Sequence, residues 1–97
     1  MAKIIRYDGV VEDVSPACGD KFNYEQLEII TGGYFDIKRS MLENDDRVIV
    51  VDSDANVKGK YYNHRATMLL IKMGYHDDFL SGNVIVCHDY EIASDLM

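Results

Sequence analysis

The residues that first suggest chemistry lie in one stretch, DSDANVKGKYYN, Asp52 to Asn63. Asp52, Asp54 and Asn56 stand at alternate positions, as do the first three ligands of a calcium-binding loop, which also needs glycine at its sixth position and glutamate at its twelfth. Here the sixth residue is Val57, the glycine comes later as Gly59, and the twelfth residue is Asn63. No metal is expected, and the Asp, Ser, Asn and Gly residues read as a turn leaving a strand. The downstream half of the stretch offers different chemistry. Lys58, Lys60 and Arg65 supply cations, Tyr61 and Tyr62 supply flat rings, and Asn63 can cap a helix whose first amides attract an anion. Lys58, Tyr61, Tyr62, Asn63, Arg65 and Thr67 are therefore the candidate residues for a small anionic ligand such as a nucleotide. The competing reading divides the tyrosines between core and surface and leaves the cations on a solvated helix.

Other reactive side chains form no local constellation. His64, His76 and His88 are spaced at twelve-residue intervals, which matches no metal-ligand spacing. Zinc or general-base chemistry beside Asp77, Asp78 or Asp89 would require the fold to bring them together. Cys87 and His88 are neighbours in a strand-like run, where adjacent side chains point to opposite faces, so they cannot act as a pair. Cys18 and Cys87 are far apart and read as free thiols in a cytoplasmic protein. Gly32-Gly33 follows a helical pattern, whereas a phosphate-cradling loop precedes one. No catalytic residue and no cofactor is expected, and an enzyme is the least favoured function.

The elements that must position these residues are legible in the patterning. KIIRY and VVEDV flank Asp8-Gly9, a hairpin signal because both turn residues tolerate positive φ. Tyr24 to Thr31 has a helix grammar: Asn23 as cap, Gln26 at the reciprocal position, Phe22 stapling against Leu27, and Gly32 or Gly33 as the stop. YFDIKRSM alternates, with Phe35 and Ile37 on one face and Tyr34, Asp36 and Lys38 on the other. RVIVVD, Arg47 to Asp52, reads as a strand buried on both faces in the middle of the sheet. Ala66, Leu69, Leu70 and Met73 share a helical face, and NVIVC is a last strand. The tail holds one more helical turn, with Ile92 and Leu96 on one side. The predicted order is β-β-α-β-β-α-β in a single domain spanning residues 1–97. Its class is α+β, a largely antiparallel sheet of about five strands with two helices on one face.

Size and charge narrow the function classes. A chain of 97 residues that is 47% hydrophobic has material for one modest core. Its formal charge of −7 argues against general nucleic-acid binding, which depends on clustered cations. The carboxylate runs EDV, ENDD and HDD are short for a DNA mimic. No apolar run approaches the roughly 20 residues of a membrane-spanning helix, so membrane insertion is not expected. A sheet covered on one face would leave its other face and two edges to protect, which makes homo-oligomerisation a candidate.

Several segments taken in order resemble a known family. They are the short helix ending in Gly32-Gly33-Tyr34, the acidic turn Asp52 to Ala55, the N-x-x-A-T of Asn63, Ala66 and Thr67, and Asp78 followed by Gly82 to Val86. The succession resembles domain-of-unknown-function family 3846, found in phages and other mobile elements, over about Ile4 to Val86. Family members tend to have glycine in the acidic turn, where this chain has Ala55. The resemblance implies a mobile-element context and transfers no catalytic residue. Small acidic phage proteins commonly act by binding, which implies a non-enzymatic module that counteracts host defence by sequestering a signalling nucleotide. The alternative is an inhibitor that occludes a host or phage protein through an exposed strand or tyrosine patch.

Overall fold

The N-terminal hairpin forms from two short β-rich runs, β1 (Ala2–Ile5) and β2 (Val11–Val14). The structure, a computed structural model, describes residues 2–17, 19–55 and 58–96. Only Gly9 takes positive φ in the connecting turn, at 93°. Asp8 instead stabilises it by accepting the Val10 amide at 3.0 Å. Helix α1 (Tyr24–Thr31) starts where Asn23 Oδ1 accepts the Gln26 amide at 2.9 Å and stops at Gly32, whose φ is 92°. The reciprocal half of the expected capping box is absent. Gln26 donates to the Ser15 carbonyl at 2.9 Å and accepts the Ala17 amide at 2.8 Å, tying α1 to the chain that precedes it.

Strands β3 (Phe35–Arg39) and β4 (Arg47–Asp52) form a second hairpin, followed by α2 (His64–Lys72) and β5 (Val84–His88). The tail makes two short 3-10 turns, Asp89–Glu91 and Ser94–Leu96. The order is β-β-α-β-β-α-β, and the five strands make one antiparallel sheet arranged β2-β1-β5-β4-β3. The α+β class is as expected. β4 is not the middle strand, however: β5 is, because it joins the two hairpins by pairing with β1 on one side and β4 on the other.

The helices lie on opposite faces of the sheet rather than on one. Val48 and Val50 of β4 pack with Leu27, Phe22, Ile85 and Ile92 in one core, while Ile49 and Val51 pack with Ala66, Leu70, Met73 and Val84 in another. Alternate strand residues point to opposite faces, so these are two separate layers, the first beneath α1 and the tail, the second beneath α2. A strand with four consecutive apolar residues, Val48 to Val51, needs cover on both sides. Each fully buried Val or Ile contributes about 2 kcal/mol only if something shields it from water. The open face that suggested homo-oligomerisation is therefore filled, and the two edges remain. Those edges carry charge: on β2, Glu12 pairs with Arg6 at 2.8 Å, and Asp13 pairs with Lys3. Such charges discourage edge-to-edge pairing. Among the described residues no helix is long and apolar enough to cross a membrane.

Candidate ligand cleft at one end of the sheet

The stretch that suggested a metal loop is built around a buried ion cluster. Asp52 ends β4 with its side chain 1% exposed, and its Oδ2 receives Lys60 Nζ at 2.6 Å and Lys58 Nζ at 2.9 Å. Its Oδ1 accepts the Asp54 amide at 2.8 Å, closing the expected turn. Burial works to raise the Asp52 pKa, but the hydrogen bonds from Lys60 and Lys58 and the Asp54 amide outweigh it, and the carboxyl is held below its ordinary value. Asn56 and Val57 lie outside the described residues.

The same lysines finish α1. Lys60 donates to the Thr31 carbonyl at 2.7 Å and Lys58 to the Gly32 carbonyl at 3.1 Å, placing two cations at the negative end of the helix. The glycines make room for them. A Cβ at Gly32 would lie 2.9 Å from Lys60 Nζ, one at Gly33 would lie 2.8 Å from Lys58 Nζ, and one at Gly82 would lie 2.8 Å from Lys60 Cδ. Gly32-Gly33 is thus a helix stop and also an entry for two side chains.

Asn63 and Thr67 serve as scaffold and do not face a ligand. Asn63 is fully buried, its Oδ1 capping α2 through the Ala66 amide at 3.0 Å. Its Nδ2 donates to the Ile5 carbonyl at 2.9 Å and the Gly82 carbonyl at 2.8 Å. One side chain thereby fastens a helix start to the ends of two strands. Thr67, also buried, accepts the Leu80 amide at 2.9 Å through Oγ1. The segments singled out by resemblance, Gly32 to Tyr34, Asp52 to Ala55, Asn63 to Thr67 and Gly82, therefore meet at one end of the sheet.

The remaining candidates separate. Lys58 and Tyr61 line a cleft of about 390 Å³ together with Tyr7, Lys60, Gly82 and Asn83. Tyr61 is exposed and its ring lies 5.1 Å from that of Tyr7 at 34°. An ammonium has three N–H donors, and Lys58 and Lys60 each use two internally, so each retains one for a ligand. Tyr62 lies outside this cleft, with its ring 6.1 Å from His64 and 6.3 Å from Phe79. Arg65 lines a different hollow of about 420 Å³ with His64, Met68, Leu69, Lys72 and Val11. Tyr7 is a cleft residue that no local sequence signal marks; it lies far upstream and is carried there by the pairing of β1 with β5, where its amide donates to Asn83 Oδ1 at 3.2 Å. Lys60 stood beside the chosen residues, and its spacing of two from Lys58 was the available signal.

The histidines are dispersed. His64 starts α2 at the end of the sheet marked by Ile5 and Gly82, whereas His88 ends β5 at the other end, 2.6 Å from Asp46 and stacked on Tyr90. Among the described residues no group of His, Cys, Asp and Glu is placed to hold a metal ion. The Cys87 thiol is free and buried in the α1-side core, and that burial pushes its pKa up to about 12, which keeps it protonated and unreactive. Cys18 lies outside the described residues. No family model, no curated protein and no solved structure matches this chain.

Proposed function

We propose that this protein is a small non-catalytic binding module, and that the cleft between Tyr7, Tyr61, Lys58 and Lys60 holds an anionic ligand with a planar ring, of which a nucleotide is the fitting class. The observation that carries this reading is the juxtaposition of an exposed tyrosine pair with two ammonium groups that each keep a donor free. A base stacks on the Tyr61 face, and the phosphate takes the remaining Lys58 and Lys60 protons. Asp52, Lys58 and Lys60 together carry one positive charge, so the cleft is locally cationic within an acidic chain. The motif resemblance to domain-of-unknown-function family 3846 supports a phage or mobile-element setting, in which sequestering a host signalling nucleotide counteracts defence. That setting rests on the motif residues alone.

The test is a thermal-shift series with cyclic and adenine-derived nucleotides at millimolar concentration. A ligand at a hundredfold excess over its Kd stabilises by about 2.7 kcal/mol and raises the midpoint. The expected result is a rise with at least one nucleotide, lost in Tyr61→Ala and small with inorganic phosphate alone. No rise with any nucleotide, or a rise that survives Tyr61→Ala unchanged, overturns the assignment.

A further inference from the structure

In a chain with seventeen acidic side chains and ten basic ones, every cation could find a carboxylate, and seven of the ten do. Lys3, Arg6, Lys38, Arg39 and Arg47 each have one, and Lys58 and Lys60 share Asp52. Lys21 donates to the Tyr90 carbonyl. Among the described residues only Arg65 and Lys72 have no partner, and both line the same hollow on the outer side of α2, between that helix and the edge strand β2. They stand seven residues apart on one helix, which is about 10 Å along its axis. Met68 and Leu69 stand between them on the helix, and Val11 of β2 lines the hollow opposite; Met68 and Val11 are 43% and 40% exposed and Leu69 is half-buried. The hollow thus has an apolar floor and a cation at each end.

We propose that this hollow docks an acidic amphipathic helix of a partner protein. The segment it fits has two carboxylates seven residues apart that meet Arg65 and Lys72, with apolar side chains at the intervening third and fourth positions that cover Met68 and Val11. Helical spacing puts all four of those side chains on one face, and methionine adapts its shape to what it contacts. A second copy of the chain does not satisfy the site symmetrically. α2 carries no acid, and two-fold pairing of this face would set cation against cation in either orientation. An anionic membrane and nucleic acid are disfavoured because their negative charge extends well beyond the two cations of the hollow, and the molecule as a whole, at −7, is repelled by both.

The probe is a short alanine-rich helical peptide carrying Glu, Leu, Leu and Glu at relative positions 1, 4, 5 and 8. It is titrated into isotopically labelled protein and followed by amide chemical shifts. Binding is expected to shift the amides of Val11, Arg65, Met68 and Lys72, to weaken with added salt, and to fall about tenfold or more in the Arg65→Glu, Lys72→Glu double variant. Both positions are exposed, so the variant retains the wild-type melting midpoint and the loss is read on folded protein. The same peptide with Lys in place of Glu should not bind. The proposal is overturned if the acidic peptide fails to bind at millimolar concentration, shifts other amides, or binds the double variant equally. A dimer in sedimentation equilibrium that the double variant abolishes, or cosedimentation with phosphatidylserine vesicles that it abolishes, would assign the hollow to another occupant and overturn it too.

Discussion

Lys58 and Lys60 contrast with Arg65 and Lys72. All four lie close together in the chain and look like one cationic cluster, yet the fold gives them opposite circumstances. The first two reach inward to a carboxylate that is 1% exposed and to the last carbonyls of α1. The second two point out from α2 with no partner among the described residues. A lysine can therefore be mainly a structural strut or mainly a free charge, and burial of the nearest carboxylate decides which. The strut pair keeps a residual capacity for ligand, because each ammonium retains one proton donor. The free pair keeps its full charge but has no cavity walls of its own beyond an apolar hollow.

The contrast can be tested by removing each side's support, and the largest effect should come from the scaffold between them. Asn63→Ala deletes a helix cap and leaves two buried carbonyls without a donor, so it is expected to cost about 3–4 kcal/mol in urea unfolding. A loss below about 1 kcal/mol would mean that the end of the sheet is not held as described. Asp52→Asn should cost less, about 2 kcal/mol. Removing one partner of a fully buried pair costs roughly 3–5 kcal/mol, but these two ammonium groups are partly exposed and can rehydrate.

Asp52 also has a pH signature. Its folded pKa lies below the unfolded value of about 3.9, so its stabilising contribution is complete above that pH and is lost as pH falls through the lowered folded value. Wild-type stability should therefore drop more steeply than that of Asp52→Asn as pH is lowered below about 4. Parallel acid limbs in the two proteins would break the claim that this carboxylate is the anchor. The smallest effect belongs to the outward pair. Arg65→Ala with Lys72→Ala should change stability by no more than about 0.5 kcal/mol, because neither side chain holds anything in the free protein. A larger loss would place them with the struts.

Much of this architecture was legible in the chain. Asn23 and Gly32 mark the two limits of α1, and the apolar run from Val48 to Val51 announces a strand buried on both faces. That run already implied a helix on each side, and the expectation of two helices on one face contradicted it. Strand order was not legible, since the pairing of Lys3 with Val86 is non-local and no turn signal records it. The candidate site was half legible. Residue type pointed to Lys58 and Tyr61, but whether Asn63 and Thr67 face inward depends on Ile5, Leu80 and Gly82, which are distant in sequence. Asp52 gave a usable signal: a carboxylate that directly follows the buried apolar run Val48 to Val51 must be neutralised, and the nearest alternating cations are Lys58 and Lys60.

The central position of β5 also bears on how the molecule reaches its native state. Each outer pair of strands is a local hairpin that can form early, but the strand that unites them is translated last of the five. Until it emerges from the ribosome, β1 and β4 each present an unpaired inner edge, and both cores stay open. The closing step joins residues about eighty positions apart, the kind of contact that slows folding. The nascent chain is thus exposed to aggregation until β5 is made, and folding rate should respond more strongly to changes in Ile85 than to equal changes in either outer strand.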